Sequence, residues 1–269
     1  MKPRLSIITP SYNQAAFVER TIRSVLDQRY ENLEYIVVDG GSTDGSVEII
    51  ERFADRLAWW VSEPDAGQTD ALNKGLARAT GDVVAYINSD DYYLPGAFDA
   101  AIEAFEGTQV LWVVGASRFV DAQGRLTEVW RPEAPPGRRH WWILGPWGVP
   151  QPSTFWRREV FERFGGFRED MHYVFDTEYG IRLALAGELP GLIDRELAVR
   201  VVHPEAKSWD RSPFERERRR FVELHAPTLR LGERLELHVT QLLLATRLYG
   251  ALRLVAASMR RLSFSTRHS

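Results

Sequence analysis

Two adjacent carboxylates, Asp90 and Asp91, directly follow an apolar run of strand-forming residues at positions 83–87. In an open α/β sheet, ligands bind at the carboxyl ends of the strands, so a strand ending in two aspartates presents both to the ligand. Carboxylate oxygens are natural ligands of Mg²⁺ and Mn²⁺, which in turn bind phosphates. The alternative is a polar turn whose aspartate caps the next helix. The pair therefore suggests a metal site that holds a phosphorylated ligand.

A further carboxylate, Asp39, ends another predicted strand at residues 33–39 and is followed by a polar, glycine-rich turn. In this position Asp39 is suited to accept hydrogen bonds from a nucleobase or a ribose. The alternative is that Asp39 and Asp44 cap the turn and the next helix. Gly40 and Gly41 do not form the Gly-x-Gly-x-x-Gly dinucleotide fingerprint, which argues against an NAD enzyme.

A third polar segment contains Asp65 and Lys74. A helix that begins at Thr69 turns Asp70, Asn73 and Lys74 onto adjacent faces, because residues three and four apart are neighbours on a helix. Lys74 is a candidate point charge for a phosphate, and Asp65 a candidate partner of a sugar or ribose hydroxyl. For Lys74 the alternative is an ordinary solvated helix surface.

The pattern of apolar residues and turn residues predicts a chain of alternating strands and helices, and hence a mostly parallel sheet with right-handed crossovers. The segment 132–152, rich in Pro, Gly and Trp, predicts a long irregular loop. The predicted strands are 5–9 (stopped by Pro10), 33–39, 59–62, 83–87, 110–115 and 197–202, with a hairpin at 118–130. The predicted helices are 15–28, 47–56, 69–79, 96–105, 159–164 and 176–186, and a helical tail from Phe214 with breaks at Pro227 and Gly232.

The composition is that of a globular protein, and its charge is unevenly distributed. The 269 residues contain no cysteine, which excludes disulfides and thiolate metal sites. Residues 211–269 carry 12 Lys and Arg against 5 Asp and Glu, whereas the remainder carries 22 against 32. No run of about 18 apolar residues and no signal peptide is evident, so we expect a cytoplasmic location, peripheral on the inner face of the cell membrane. The acidic body argues against a nucleic-acid partner.

Four segments, at residues 6–13, 38–46, 63–68 and 88–91, occur in an order that resembles the nucleotide-sugar half of family 2 glycosyltransferases, which have the GT-A fold. The resemblance implies that Ser89-Asp90-Asp91 corresponds to the Asp-x-Asp metal motif of that family. Because Ser stands at its first position, the metal would fall to Asp91, with Asp90 facing the ribose or the donor sugar. The resemblance also implies that Pro10, Tyr12, Asp39 and Asp65 line the nucleoside pocket. The expected nucleotide-binding set adds Asn13, Lys74, Ser89 and Asp90 to these four.

The second half resembles the same family through residues 151–155 and 164–169, ahead of an acidic motif that supplies the catalytic base. Here that motif reads Phe-Asp-Thr-Glu-Tyr, which favours Asp176 as the base over Glu178. The alternative is that both carboxylates face a helix dipole. His203 resembles the family segment that closes over the diphosphate and is a candidate metal ligand, although a lone His is more often a core or surface residue. The acceptor-binding candidates are Trp141, Trp142, Trp147, Gln151 and Glu178.

The resemblance implies an α/β fold of GT-A type, with a Rossmann-like, mixed, mostly parallel sheet flanked by helices. We expect a catalytic domain at 1–210, divided into a nucleotide-sugar half (1–96) and an acceptor half (97–210), and a basic helical extension at 211–269. The implied activity is inverting transfer of a sugar from a nucleoside diphosphate donor, with a preference for UDP, to an acceptor hydroxyl, with Mn²⁺ or Mg²⁺ as cofactor. Cell-surface glycan or glycolipid synthesis is the expected context, with a glycan or lipid-linked acceptor.

Other interpretations remain open at this point. A nucleotidyltransferase would share the crevice and the metal, but residues 10–16 contain none of the basic residues that its phosphate loop needs. A protein that binds nucleotide-sugars without catalysis is the other alternative. The segment 235–262 could lie on an anionic membrane surface or pack on protein, including a second subunit, so an oligomer is compatible with the sequence.

Overall fold

The computed structural model describes residues 2–132, 149–207 and 212–245. The chain divides into two compact units, and the boundary between them lies within the seventh helix. Of the described residues, the first unit contains 2–132, 149–207 and 212–219, and the second contains 220–245. No helix among the residues that are described is long and apolar enough to cross a membrane.

Strands and helices alternate through the first unit, as the apolar periodicity predicts. The strands are β1 (Leu5–Ser11), β2 (Leu33–Asp39), β3 (Trp59–Ser62), β4 (Val83–Tyr86), β5 (Tyr92–Tyr93), β6 (Trp112–Asp121), β7 (Leu126–Trp130), β8 (Thr154–Arg157) and β9 (Gly191–Val202). The helices are α1 (Val18–Leu26), α2 (Ser46–Glu51), α3 (Gln68–Arg78), α4 (Ala97–Phe105), α5 (Glu159–Phe164), α6 (Phe175–Leu185), α7 (Ser212–His225) and α8 (Leu231–Ala245). Short 3-10 turns occur at Ala54–Arg56, Gln151–Ser153 and Ala226–Thr228.

One mixed sheet runs through the first unit in the order β3-β2-β1-β4-β8-β6-β9-β5, with β7 paired to β6. The strands β3, β2, β1 and β4 are all parallel, so their carboxyl ends meet at one edge. Beyond β4 the pairing becomes antiparallel at β8, and β6 and β9 form a further parallel pair. The expected mixed α/β sheet is therefore present, and its parallel character is concentrated in the first half of the chain.

The core lies where the parallel strands are covered by helices. Every residue of β1 is buried, because strands with helices on both faces are hidden from solvent on both sides. The helix α1 covers the sheet with residues at spacings of three and four, which is the period of one helix face. Its buried residues are Val18, Thr21, Ile22, Val25 and Leu26.

Several predicted boundaries were wrong. β1 continues through Pro10 to Ser11; since β4 pairs only with residues 5–8 of β1, Pro10 has a strand neighbour on one side only and its missing N–H is tolerated. The expected helix at 15–28 is shorter, and β6 and β9 are longer than expected. The sequence pattern did not predict β8. Gly232 does not break the tail, because α8 already begins at Leu231.

A buried carboxylate, Glu34 on β2, ties the first strands to the turn that leads into β4. Its Oε2 accepts hydrogen bonds from the Ser6 hydroxyl at 2.5 Å and the Thr80 amide at 2.7 Å, and its Oε1 accepts one from the Thr80 hydroxyl at 2.8 Å. Arg4 lies 2.9 Å away, and the Ser6 oxygen in turn accepts the Gly81 amide. Burial alone would raise the pKa of Glu34, but these hydrogen bonds and the arginine outweigh it and lower that pKa below its ordinary value.

We expect Glu34→Gln to lower the free energy of unfolding by about 1–3 kcal/mol near pH 7, because a buried hydrogen-bond network loses the negative charge and one of its two acceptor oxygens. The folded-state pKa is depressed, so this contribution is present above the unfolded pKa of about 4.5 and is lost as the pH falls through the folded value. Urea unfolding at several pH values measures it. Glu31→Gln, an exposed neighbour, is the matched control, and equal effects of the two variants would contradict the prediction.

Candidate active site

The crevice at the carboxyl ends of β1 and β2 contains the first group of expected nucleotide-binding residues. Ser11 ends β1 and Asp39 ends β2, and the two are register partners; Pro10 precedes Ser11 in β1. Tyr12 follows the strand and is 62% exposed, so its ring is available to a ligand. Asn13 adopts a left-handed φ of 53°, and its side-chain oxygen accepts the Thr43 amide at 3.0 Å. The residues after β1 and β2 are thus joined by hydrogen bonds into one wall.

Asp39 is fully buried within this wall. Its Oδ2 accepts the amides of Gly41 at 3.1 Å and Ser42 at 2.8 Å and the hydroxyl of Ser62 at 2.7 Å, and its Oδ1 accepts the Ser42 hydroxyl at 2.5 Å. Asp44 similarly accepts the Ser46 amide at 3.0 Å. This arrangement matches the turn-capping alternative, and a direct contact between Asp39 and a base would require these bonds to be replaced.

Asp65 lies beside the same strand ends, close to Gly40. A Cβ at Gly40 would approach the Asp65 Oδ2 to 2.8 Å, so a larger residue there would displace the Asp65 carboxylate from its present position. The other oxygen of Asp65 accepts the Gly67 amide at 2.8 Å. Lys74, expected at a phosphate, instead forms ion pairs with Glu63 at 3.0 Å and, across one helical turn, with Asp70. The hydrogen bond to Glu63 raises the pKa of Lys74 above its ordinary value.

The segment Ser89-Asp90-Asp91 connects β4 to β5 and is held from two directions. The Thr21 hydroxyl of α1 lies 2.8 Å from the Ser89 carbonyl oxygen and 2.6 Å from that of Asp91. On the opposite side, the Val201 amide of β9 donates to the Asp91 Oδ1 at 2.9 Å. Asp91 is only 2% exposed, and burial, followed by the charge of Asp90, raises its pKa well above the ordinary value.

The carboxylate that faces the crevice is Asp90. Its Oδ2 lies 3.2 Å from the His203 Nε2, and the His203 ring packs 4.4 Å from that of Phe17. The geometry thus differs from the expectation for Asp91, because the Asp91 side chain is buried against the strand amide while Asp90 keeps the more accessible oxygen. Within the described parts of the chain, no cluster of three or more His, Asp or Glu forms a metal cage. Two adjacent donors of this type nevertheless fit Mg²⁺ or Mn²⁺, which commonly bind through one or two protein ligands plus substrate phosphates.

A chain of amide side chains lies behind this pair. Gln68 donates to the Asn88 Oδ1 at 2.6 Å, and Asn88 donates to the Gln151 Oε1 at 3.3 Å. Gln151, expected at the acceptor, is 8% exposed and donates to the Tyr86 carbonyl at 2.8 Å. At the other end of the chain, the Lys207 Nζ donates to the Gln68 Oε1 at 3.3 Å. This network fixes the loop that carries the aspartates, so Gln151 has a supporting position.

Asp176 and Glu178, the two candidates for the base, have different environments. Asp176 at the start of α6 is half-buried, and burial raises its pKa, although the Thr177 amide, which donates to it at 2.6 Å, opposes the rise. Glu178 is 1% exposed, and its two oxygens accept from the Arg182 guanidinium at 3.1 and 2.7 Å. Because Glu178 is occupied by a buried ion pair, it is not available to contact an acceptor as expected.

Three further residues of the site were missed or not assigned a role by the sequence reasoning. Glu217 on α7 accepts the amides that precede α6, at 2.7 to 3.1 Å, and so fixes the start of the helix that carries Asp176. The pKa of Lys207 is lowered by burial, and its ammonium lies 5.0 Å from the Tyr173 ring centroid. Arg200 lies on β9, and its charge acts on Asp176. No local pattern indicates such long-range contacts. The expected Trp141, Trp142 and Trp147 lie outside the described residues.

Comparison with known sequences identifies the class of protein that this crevice belongs to. The sequence model of Glycosyl transferase family 2 matches residues 6–165. An uncharacterized glycosyltransferase of Mycobacterium tuberculosis is 35% identical over 191 residues, which cover 69% of this chain and 71% of that protein. The chain therefore belongs to glycosyl transferase family 2, which confirms the resemblance of the four motifs.

Solved structures share the fold. TarS 1–349 of S. aureus in complex with UDP-GlcNAc matches with a TM-score of 0.67 and 18% identity, and the match covers 84% of this chain and 66% of that chain. The mannosyltransferase PcManGT of Pyrobaculum calidifontis in complex with GDP-Man and Mn²⁺ matches with a TM-score of 0.56 and 22% identity, over 96% of this chain and 81% of that one. These likenesses concern the architecture, which is the expected GT-A type.

Substitution of each acidic residue of α6 tests which of the two stabilises the fold. We expect Glu178→Gln to lower the free energy of unfolding by about 1–3 kcal/mol, because it leaves the half-buried Arg182 guanidinium without the carboxylate that pairs with it. Asp176→Asn should cost no stability, because it removes a charge that burial already disfavours. Chemical unfolding of the two variants measures the difference. A loss for Asp176→Asn as large as that for Glu178→Gln would show that Asp176 is also structural.

Proposed function

We propose that this chain is an inverting glycosyltransferase that moves a sugar from a nucleoside diphosphate donor to an acceptor hydroxyl. The observation that carries the proposal is the contact between Asp90 and His203, residues far apart in sequence that meet 3.2 Å apart at the ligand-binding edge of a family 2 fold. Steady release of nucleoside diphosphate from a panel of nucleotide-sugars, dependent on added metal, tests it. Absence of release with every donor and acceptor mixture would contradict the activity.

The nucleoside is bound, in this proposal, by the wall formed after β1 and β2. Tyr12 offers an exposed ring, and Asp65 offers a carboxylate beside the space that Gly40 leaves open. Asp39 shapes the wall from behind, with Pro10 beside it in the paired strand. We assign UDP as the preferred nucleotide; the UDP-GlcNAc complex of the structural relative TarS supports this choice, while the GDP-Man complex of PcManGT is the competing precedent.

Asp90 and His203 would hold the divalent cation, Mn²⁺ or Mg²⁺, while Asp91 anchors their loop. A carboxylate oxygen and an imidazole nitrogen suit Mn²⁺, and the diphosphate oxygens of the donor complete such a site. When bound, the cation supplies positive charge that stabilises the departing diphosphate. The Mn²⁺ in the PcManGT complex supports the choice of cation.

Asp176 acts as the general base. Its carboxylate takes the proton of the acceptor hydroxyl as that oxygen forms a bond to the anomeric carbon, and the bond from that carbon to the diphosphate breaks on the opposite face. One displacement inverts the configuration and needs no nucleophile on the enzyme. The raised pKa of Asp176, caused by burial, improves its match to a proton acceptor near neutral pH. Glu217 keeps the start of α6 in place through three backbone amides.

The proposal extends to the acceptor and the cellular setting. We propose a glycan or a lipid-linked acceptor in cell-surface synthesis on the cytoplasmic side of the membrane. The charge of +7 on residues 211–269 and the exposed Leu231, Leu235 and Val239, four residues apart on α8, support a contact with an anionic membrane surface. Most of the predicted membrane-facing segment, 246–262, lies outside the described residues.

The base assignment predicts a separation of binding from turnover. Asp176→Asn should bind the nucleotide-sugar with near wild-type affinity but reduce kcat by about 10²-fold or more, because proton removal from the acceptor is lost. Calorimetry with the donor and a rate assay on the same preparation measure both quantities. The control is Glu188→Gln, which changes a carboxylate that follows α6 and pairs with the exposed Arg163. Full turnover in Asp176→Asn would contradict the assignment.

The metal assignment predicts unequal effects of the neighbouring aspartates. Asp90→Asn and His203→Ala should each raise the Mn²⁺ concentration for half-maximal activity by about 10-fold or more, because each loses a ligand. Asp91→Asn keeps an oxygen that can accept the Val201 amide, so it should change this concentration little. Titration of EDTA-treated protein with Mn²⁺ measures it. If the Mn²⁺ concentration for half-maximal activity rises only in Asp91→Asn, the metal ligand is Asp91 and the assignment to Asp90 is wrong.

A further inference from the structure

An arginine on β9, the last strand of the sheet, packs against aromatic rings near the candidate active site. Arg200 on β9 is the register partner of Phe119 on β6, so both side chains lie on one face of the sheet. The Arg200 guanidinium lies 5.4 Å from the centroid of the Phe119 ring. That ring lies 5.9 Å from the ring of Trp130 on β7. Arg200, Phe119 and Trp130 are all half-buried, and we call the rings of Phe119 and Trp130 the aromatic platform.

Arg200 differs from two neighbouring arginines because its side chain forms no ion pair within 4 Å with a described residue, although its charge acts on Asp91 and Asp176. Arg118 pairs with Glu196 at 2.5 Å, and Arg131 pairs with Asp194 at 2.9 Å. Among the residues that the structure describes, the Arg200 side chain has no hydrogen bond and no ion pair, and its guanidinium packs on the Phe119 ring. A half-buried guanidinium has lost part of its hydration, so a planar anion that accepts its N–H groups would be strongly favoured.

The position of Arg200 links the platform to the reacting groups. The next residue, Val201, donates its amide to Asp91, so the backbone beside Arg200 is hydrogen-bonded to the aspartate loop. The charge of Arg200 also reaches Asp176, where it opposes the rise in pKa that burial causes. The guanidinium is therefore near enough for its charge to act on Asp176, the proposed base.

We propose that Arg200 binds an oxyanion of the acceptor, either the carboxylate of an acidic sugar or a phosphate attached to a sugar, while Phe119 and Trp130 pack against the acceptor ring. The guanidinium presents paired N–H groups that match both oxyanions, and aromatic faces suit the apolar faces of sugar rings. This inference rests on the proposed glycosyltransferase activity and narrows its acceptor to an anionic class.

Binding of small probes tests the inference without requiring turnover. The probes are glucose 1-phosphate, glucuronate and the neutral methyl glucoside, titrated by saturation-transfer NMR against the full chain with Mg²⁺ and saturating UDP. Saturating UDP occupies the diphosphate site, so the phosphate probe cannot report from there. The variants are Arg200→Gln and Arg200→Lys, and Arg125→Gln in the β6–β7 turn is a control with the same loss of charge away from the platform.

We expect wild-type protein and Arg125→Gln to bind at least one anionic probe at least about 10-fold more tightly than methyl glucoside, the value for one charge-assisted contact. Arg200→Gln should abolish this preference, and Arg200→Lys should keep part of it. The comparison of glucose 1-phosphate with glucuronate tells phosphate from carboxylate.

Equal affinity for charged and neutral probes in the wild type, or no binding of any of them while UDP binds, would overturn the inference alone. An anionic preference that survives in Arg200→Gln would also overturn it. Failure of UDP itself to bind would instead contradict the assignment of UDP within the proposed function, so the two failures are distinguishable.

Discussion

The hydrogen bond from the Val201 amide to the buried Asp91 carboxylate is the constraint on which the site depends. It joins the loop after β4, which belongs to the parallel half of the sheet, to β9, which belongs to the mixed half. A carboxylate that is 2% exposed is costly to bury unless donors satisfy it, so the loop cannot leave β9 without losing that compensation. With Asp91 fixed, the adjacent Asp90 is held toward His203, which follows β9 by only one residue.

Other buried carboxylates of the first unit are also satisfied by hydrogen-bond donors or by an opposite charge. Asp39 and Glu34 are saturated by hydroxyl and amide donors, and Glu178 is paired with an arginine. These carboxylates shape and stabilise the fold. Asp90 and Asp176, by contrast, are partly exposed and have fewer hydrogen-bond donors around them. The carboxylates of this unit therefore differ in the number of donors around each.

The resemblance predicted the GT-A fold and family membership well, because the motifs at the ends of β1, β2 and β4 are local in sequence. Individual roles were harder to predict. Asp90 and Asp91 are adjacent, and only the position of the Val201 amide distinguishes the buried one from the one that faces His203. Likewise, Lys74 looked free for a phosphate, but Glu63, outside its helix, pairs with it.

The sequence by itself determined the alternation of strands and helices, the carboxylates at the strand ends and Asp176 at the start of its helix. These features depend on periodicity, turn chemistry and short motifs, which the chain carries locally. Only the tertiary structure decided which polar groups meet across the chain. Glu217 caps the segment before α6, Lys207 reaches Gln68, and Arg200 stands on the Phe119 ring. Such contacts arise from strand order and packing between distant segments, and no local pattern of residues encodes them.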